Sequence, residues 1–198
     1  MIAIIDYGAG NVTSVKKALD WLGRRAVLTS DVEEIEQADR LIVPGVGHFA
    51  ATTHLTRRGL RAAIQAAICR GVPFLGICLG MQWMFVSSQE APEVRGLGLF
   101  AGEASLFPPE VKSPHVGWNQ LHRLGNSRLL DGISGDAFVY FTHSYRLPVV
   151  AETVATCEYG GPFSAVVESH NLFGVQFHPE KSGPVGIQLL ETFCQLPC

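Results

Sequence analysis

Apolar and polar residues alternate between two periods in the first half of the chain. Short apolar runs are typical of buried strands, whereas apolar residues that recur every three to four positions are typical of one helix face. The predicted strands cover residues 2–6, 26–30, 40–45 and 73–77. The predicted helices cover residues 11–23, 31–38, 60–71 and 79–90. Strands that alternate with helices pair in parallel through crossover connections, so the pattern predicts an open α/β sheet.

The second half of the chain has a different pattern. Residues 95–170 contain short β-like runs separated by glycine and proline, which predicts antiparallel strands and hairpins added to the parallel sheet. The runs at 165–169 and 172–178 predict two further strands, and the proline that opens 184–195 favours a closing helix. Because no repeat, low-complexity stretch or linker interrupts the pattern, we expect a single domain over residues 1–198.

Composition and charge exclude several classes of protein. The net charge is −3 and no basic block is present, so nucleic acid and anionic membranes are poor candidates for partners. The five cysteines form no C-x-x-C pair and are odd in number, which argues against a disulfide framework or a zinc site. With no signal-peptide pattern at the start and no apolar run near 18 residues, we expect a soluble cytoplasmic protein without a metal.

The stretch GICLG places Cys78 between Gly76 and Gly80, directly after a predicted strand. Ligands of open α/β sheets bind beyond the carboxyl ends of the strands, and the pattern matches the nucleophile elbow, in which small residues flank a sharp turn. The dipole of the following helix favours a thiolate, and the N–H of Leu79 is placed to meet an oxyanion. The alternative is a buried structural cysteine in a glycine-rich turn.

A nucleophilic cysteine needs a base, and the base needs a group that orients it. His178 and Glu180 stand two residues apart across Pro179 near the end of the chain. Because Pro179 favours extended backbone at His178, the two side chains are expected to face the same way. By itself the motif is better explained by a surface turn, but together with Cys78 it predicts a Cys-His-Glu triad.

A third glycine-containing stretch, PGVGHF, follows the predicted strand at 40–45. Gly45 and Gly47 allow backbone N–H groups to turn toward a neighbouring site, and elbow enzymes take a second oxyanion donor from such a loop. Taken by itself, this stretch is better explained as an ordinary turn at the end of a strand.

The motif GICLGMQ with the distant HPE resembles the class I, triad-type glutamine amidotransferases. IDYGAGN, PGVGHF, PHVGWN, YFTHSY and GVQFHPEKSG are more closely similar to one branch of that family, the glutaminase subunits that serve histidine biosynthesis. The resemblance covers nearly the whole chain in order. It implies a flavodoxin-like α/β domain that uses no cofactor.

The resemblance also implies a mechanism. Cys78 attacks the side-chain amide of glutamine and forms a thioester, while the N–H groups of Leu79 and, after a peptide reorientation, Gly47 hold the oxyanion. His178 protonates the leaving ammonia and later activates water, and Glu180 orients His178.

Four further residues match positions of the family that contact glutamine. The side chains of Gln82 and Glu90 match two of them, and the backbone of Ser144 and Tyr145 matches the positions that meet the amino-acid end of the substrate. Without the resemblance, Gln82 and Glu90 would be interpreted as a solvated helix face.

The family branch delivers its ammonia to a (β/α)₈-barrel cyclase subunit, which makes imidazole glycerol phosphate and an aminoimidazole carboxamide ribotide. Trp118, Tyr140 and Lys181 match positions near that interface, although Trp118 and Tyr140 are equally well explained as core aromatics. The resemblance further implies a glutaminase that is nearly silent until the partner subunit binds its nucleotide.

Three other functions are compatible with parts of the pattern. Another ammonia-channelling glutaminase, such as the one of pyridoxal phosphate synthesis, shares the elbow and the distant histidine but not IDYGAGN or PHVGWN. A hydrolase or cysteine peptidase with the same triad would turn over without a partner. A non-catalytic scaffold of the same fold would have no need of an intact Cys78, His178 and Glu180.

Overall fold

An eight-stranded sheet dominates the computed structural model, which describes residues 1–57 and 59–197. In spatial order its strands are β2 (Ala26–Thr29), β1 (Ile2–Ile5), β3 (Arg40–Gly45), β4 (Phe74–Cys78), β13 (Leu172–Val175), β12 (Pro162–Ser169), β11 (Thr153–Glu158) and β8 (His122–Arg123). The first five strands run parallel and the last three antiparallel. The order of the parallel strands is that of flavodoxin-like sheets, so the predicted α/β architecture with added antiparallel strands is confirmed.

Helices cover both faces of the sheet. They are α1 (Val12–Trp21), α2 (Val32–Glu36), α3 (Thr53–Arg57), α4 (Leu60–Cys69), α5 (Leu79–Met84) and α6 (Gly183–Gln195). Side chains alternate along a strand, so Ile2 and Ile4 join the core that contains α1 and α6, whereas Ala3 and Ile5 join the core that contains α2, α4 and α5. Among the described residues, no helix has both the length and the apolar character that a membrane crossing requires.

The helix predicted over residues 79–90 is wrong beyond Met84. Phe85 has extended backbone, with φ −82° and ψ −177°, and Leu97 from a returning segment donates its N–H to the carbonyl of Trp83. The last carbonyls of α5 therefore obtain partners from elsewhere in the chain. Tertiary hydrogen bonds override a helical periodicity that by itself would have continued.

Two smaller sheets complete the second half of the chain. One contains β5 (Ser87–Ser88), β6 (Glu103–Leu106) and β10 (Tyr145–Arg146), and the other is a ribbon of β7 (His115–Gln120) and β9 (Phe138–His143). Sequence patterns made no prediction for the 3₁₀ turn at Phe49–Thr52 or for α3.

The β7–β9 ribbon has an outer face with exposed apolar side chains and a buried inner face that includes two histidines. Val116, Trp118 and Phe138 on the outer face are 55%, 55% and 54% exposed. On the inner face, His115 and His143 are directly paired across the ribbon and are both buried. The two faces follow from the period of two along each strand.

A directed chain of hydrogen bonds crosses the inner face. The carbonyl of Tyr145 can only accept, so the Nδ1 of His143, 2.8 Å away, carries a hydrogen. The Nε2 of His143 then accepts from the Nδ1 of His115 at 3.2 Å, and the Nε2 of His115 accepts from the Asn119 amide at 3.3 Å. Each of these three hydrogen bonds has one donor and one acceptor when both imidazoles are neutral.

Burial enforces the neutral state of both histidines. It lowers the pKa of His143 to about 3 and the pKa of His115 to about 4, because the charged form loses its hydration. The ring of His115 lies between those of Tyr159 and Phe141, with centroids 4.0 and 4.9 Å away. The fold therefore holds an uncharged histidine pair at neutral pH.

This pair is expected to make the fold sensitive to acid. The unfolded chain binds a proton on His115 near pH 6.5, whereas the folded chain does so only near pH 4. Unfolding therefore takes up a proton in this window, and the free energy of unfolding should fall by about 2 kcal/mol from this residue as the pH drops from 7 to 5. Urea unfolding at pH 7 and pH 5 measures this difference in the free energy of unfolding. The difference should be smaller for His115→Asn than for the unmodified chain, because asparagine keeps a donor toward His143 but does not titrate.

The exposed His170 supplies the control. His170→Asn should leave the difference between pH 7 and pH 5 as in the unmodified chain. If His115→Asn and His170→Asn had the same pH dependence as the unmodified chain, the neutral pair would not be a source of acid sensitivity.

Candidate active site

Cys78 lies at the junction of β4 and α5, at the carboxyl edge of the parallel strands. Its backbone angles are φ 52° and ψ −107°, a region that residues with side chains rarely adopt and that costs about 1–3 kcal/mol. Pairing of Cys78 with Gly45 of β3 holds the strained residue in register. The structure thus places the thiol in a sharp, over-determined turn between strand and helix.

The two glycines that flank Cys78 are required by close backbone contacts. A side chain at Gly76 would bring its Cβ within 2.7 Å of the Gly80 carbonyl oxygen, which is the collision between flanking positions that the sequence predicts. A Cβ at Gly80 would instead overlap the carbonyl of Val43 in β3. The second glycine is therefore required mainly by the neighbouring strand, which the pattern GICLG alone does not reveal.

His178 and Glu180 form a buried pair beside this turn. The His178 Nδ1 lies 2.9 Å from the Glu180 Oε1, and both side chains are almost fully buried. His178 has extended backbone, as Pro179 favours, but Pro179–Lys181 forms a 3₁₀ turn. The side chains meet as expected, although the extended segment assumed in the sequence argument ends at His178.

The backbone around His178 is tied to the ribbon. The N–H of His178 donates to the Tyr140 carbonyl at 2.9 Å, and the N–H of Tyr140 donates to the Ser182 hydroxyl at 3.0 Å. The Ser182 hydroxyl in turn donates to the His178 carbonyl at 2.7 Å. These bonds fix the imidazole relative to β9.

The electrostatics of His178 are opposite to those of the histidine pair. Burial lowers its pKa, but the Cys78 thiol and the Glu180 carboxylate outweigh burial and raise the pKa of His178 to about 10. Its buried Nε2 has no hydrogen-bond partner among the described residues. The arrangement favours an imidazolium at His178, beside the Cys78 sulfur.

A cavity of about 310 Å³ opens in front of Cys78. All the residues predicted to bind substrate or to hold an oxyanion line this cavity. With Cys78, the predicted residues that line it are Gly47, Leu79, Gln82, Glu90, Ser144 and Tyr145.

Gln82 and Glu90 hold backbone segments of the cavity wall in place. The Nε2 of Gln82 donates to the Tyr145 carbonyl at 3.1 Å, and the Glu90 carboxylate accepts the N–H of Phe49 at 2.6 Å. Glu90 follows β5 rather than lying on a helix with Gln82. The expectation of a shared helix face was therefore wrong, yet both side chains reach the same cavity.

The loop of Gly45 and Gly47 packs directly on the turn of Cys78. A Cβ at Gly45 would meet the Tyr7 hydroxyl and the Leu79 side chain, whereas Gly47, at φ 99°, faces open space. Gly47 and the first residue of α5, Leu79, both border the cavity. Two backbone segments thus meet at the cavity in front of Cys78.

Trp118, Tyr140 and Lys181 lie together outside the cavity. The rings of Trp118 and Tyr140 are 6.1 Å apart in an edge-to-face arrangement, and the Lys181 Nζ lies 5.9 Å from the Tyr140 ring centroid. Trp118 is exposed and Tyr140 is partly exposed, so neither is a core aromatic. The three residues form a surface next to His178.

Sequence reasoning missed one buried residue at the site. The Nε2 of Gln176 lies 3.6 Å from the Cys78 Sγ, and its side chain is fully buried. Gln176 precedes His178 by two positions in GVQFHPE. Side chains two positions apart in an extended segment face the same way. The predicted strand that leads to His178 could therefore have indicated that Gln176 lies on the side of His178.

Comparisons with known proteins agree with this geometry. The model of the family described as glutamine amidotransferase class-I matches residues 3–195. A curated imidazole glycerol phosphate synthase subunit HisH from Moorella thermoacetica is 48% identical, with 98% of this chain and 94% of that protein covered. The subunit of the same name from Methanothermobacter thermautotrophicus is 45% identical, with 99% and 98% covered.

Solved structures show the same fold at low identity. A structure described as a glutamine amidotransferase matches with a TM-score of 0.77 at 19% identity, covering 98% of this chain and all of that one. The PurLQS structure from Thermotoga maritima matches with a TM-score of 0.74 at 20% identity, covering 98% and 96%. Together with the family model and the curated relatives, this likeness leads to one conclusion: the chain belongs to the class I glutamine amidotransferase family.

Proposed function

We propose that residues 1–198 form a single domain that acts as the glutaminase subunit of imidazole glycerol phosphate synthase. It hydrolyses glutamine to glutamate and ammonia in the cytoplasm, as part of histidine biosynthesis. Membership in the amidotransferase family and the names of relatives at 48% and 45% identity support this assignment. The observation that carries it is the strained Cys78 beside the buried His178–Glu180 pair.

In the first step the Cys78 thiolate attacks the side-chain carbonyl carbon of glutamine. A C–S bond forms, and the carbonyl electron pair moves to the oxygen, whose negative charge is held by the N–H groups of Leu79 and Gly47. Such donors stabilise charge that develops only in the transition state, and each is worth about 2.7–4 kcal/mol. The position of both residues on the cavity wall supports this role.

In the second step the C–N bond breaks and ammonia leaves. The proton on the Nε2 of His178 is transferred to the departing nitrogen, and the resulting neutral imidazole then removes a proton from water. The water oxygen attacks the thioester, glutamate is released, and the thiolate beside an imidazolium is restored. Glu180 stabilises the imidazolium at both stages, in agreement with the 2.9 Å contact to Nδ1.

Substrate recognition is assigned to the other cavity residues. Gln82, Glu90 and the backbone of Ser144 and Tyr145 surround a space of about 310 Å³ in front of the sulfur. The carboxylate of Glu90 provides a negative group, and the backbone segment provides polar main-chain groups, for the amino-acid end of glutamine.

The partner is a (β/α)₈-barrel cyclase subunit that docks on the surface formed by Trp118, Tyr140 and Lys181, giving a heterodimer. Exposed aromatic residues are enriched at protein interfaces, and this surface continues the apolar outer face of the ribbon. Ammonia released into water would be mostly protonated and no longer nucleophilic, so direct transfer to the partner is required. The bond from His178 N–H to the Tyr140 carbonyl joins this surface to the triad.

The first test is glutamate release from glutamine by this chain alone and with a purified cyclase subunit and its nucleotide substrate. Turnover should rise strongly only in the complex. Trp118→Ala, which removes an exposed ring, should raise the cyclase concentration needed for half-maximal stimulation by about tenfold or more. Leu124→Ala, a residue of similar exposure (56%) outside the ribbon, should leave stimulation unchanged.

Equal turnover with and without the cyclase subunit would contradict the gated amidotransferase and favour a free-standing glutaminase or hydrolase. Stimulation by the synthase subunit of pyridoxal phosphate synthesis instead would identify the other ammonia-channelling enzyme.

Replacing the nucleophile should separate glutamine chemistry from ammonia chemistry. Cys78→Ala removes the atom that forms the thioester, so glutamine-dependent turnover of the complex should fall to background while ammonia-dependent cyclisation continues. Cys69→Ala, at an exposed cysteine at the end of α4, should retain both activities. Loss of the ammonia-dependent activity in Cys78→Ala would show that Cys78 is needed for structure.

Removing the negative charge of Glu180 should lower the turnover number. Glu180→Gln keeps an acceptor for the His178 N–H but removes the charge that stabilises the imidazolium, so kcat for glutamine in the complex should fall about 10²–10⁴-fold. The KM should change little, because Glu180 does not line the cavity. A higher KM with an unchanged kcat would be incompatible with the orienting role.

A further inference from the structure

The position of Gln176 follows from strand register. Val175 of β13 pairs with Ile77 of β4, so Gln176 comes level with Cys78 at the carboxyl edge of the sheet. Gly174 faces α5, where a Cβ would crowd that helix's methionines. Because side chains alternate along a strand, Gln176 points to the same side as Gly174 and hence toward the beginning of α5.

The hydrogen bonds of Gln176 determine which way its amide faces. The Tyr145 carbonyl can only accept, so the group of Gln82 that contacts it must be the Nε2. That Nε2 also donates to the Oε1 of Gln176 at 3.2 Å. The amide nitrogen of Gln176 is consequently directed at the Cys78 Sγ, 3.6 Å away.

We propose that Gln176 is a further catalytic residue, which donates an N–H to the Cys78 thiolate and shares the sulfur with His178. The proposal rests on the proposed function, in which this thiolate is the nucleophile for glutamine. Its role is distinct from that of Gln82, because Gln176 does not line the cavity. Gln176 therefore contacts the reacting atom without contacting the space where substrate binds.

The chemistry of this donor differs between the two states of the sulfur. An N–H bond to a charged acceptor is stronger than one to a neutral acceptor, so Gln176 stabilises the thiolate more than the thioester sulfur. A thiolate sulfur has three lone pairs. With one directed at the Gln176 N–H and one at His178, the third is left to point toward the cavity. The hydrogen bond from Gln82 holds the Gln176 amide in place. Because Gln82 also lines the cavity, it links the cavity to the side of the Cys78 sulfur that Gln176 contacts.

The decisive experiment measures alkylation of Cys78 by iodoacetamide in the isolated chain between pH 5 and pH 9, with the labelled residue identified by mass spectrometry. Gln176→Met has nearly the same size and no donor. Its alkylation rate at pH 7 should be roughly tenfold lower, and its rate profile should move to higher pH. Gln65→Met, the same change at an exposed glutamine of α4, should match the unmodified chain.

A second variant decides the question if Gln176→Met does not fold. Gln176→Glu has the same shape but places a carboxylate against the thiolate, so alkylation at pH 7 should be slower still. An alkylation profile of a folded Gln176→Met or Gln176→Glu that coincides with that of the unmodified chain would overturn the proposal, because a residue with only a packing role changes stability and not the thiolate.

Kinetics in the complex give an independent readout. For Gln176→Met, kcat for glutamine should fall while the KM stays close to that of the unmodified complex, and a selective rise in KM would refute the assigned role. Alkylation requires neither glutamine nor a cyclase subunit. A complex of the unmodified chain without glutaminase activity would therefore count against the proposed function, whereas the alkylation profiles would still decide the role of Gln176.

Discussion

The site depends on the strained backbone of Cys78. A non-glycine residue at φ 52° is unfavourable in isolation, and the neighbouring strands supply the constraint that maintains it. Cys78 pairs with Gly45 on one side, and the Gly80 backbone lies directly against Val43, so α5 has to begin where it does. A rigid sheet thus determines the direction of one sulfur atom, and the cavity in front of it and the buried His178–Glu180 pair are both arranged with respect to that direction.

Two kinds of buried histidine lie close together in this fold and have opposite charge states. Burial is the main reason that His115 and His143 stay neutral, whereas His178, equally buried, has a raised pKa because a thiol and a carboxylate adjoin it. The positive charge of His178 further disfavours protonation of His143. One imidazole is therefore favoured in its charged form, while the two others stay neutral and hydrogen-bonded to each other, and His143 lines the cavity in front of Cys78.

Much of the fold could be predicted from local periodicity, because β1, β3 and β4 are short apolar runs and α1 and α4 are strongly amphipathic. The end of α5 could not be predicted, since the partners of its last carbonyls come from Leu97 and other residues distant in sequence. Within the site, the GICLG and HPE patterns predicted which side chains would meet. The contact of Gln176 with the sulfur requires the register of β13 on β4, and the pairing of His115 with His143 requires the register of the ribbon; neither register is visible in a single sequence.

The carbonyl oxygen of Tyr145 accepts hydrogen bonds from both His143 and Gln82. An amide oxygen has two lone pairs, so this atom is fully occupied before any ligand arrives. The neighbouring Ser144 carbonyl already accepts the N–H of Phe107. The Tyr145 carbonyl therefore has no lone pair left to accept a hydrogen bond from an ammonium group of a ligand. Among the described residues that line the cavity, Glu90 supplies the one carboxylate. Under the proposed function, a ligand's ammonium group would therefore depend on Glu90 for its ion pair, and an analogue without that group would lose this contact.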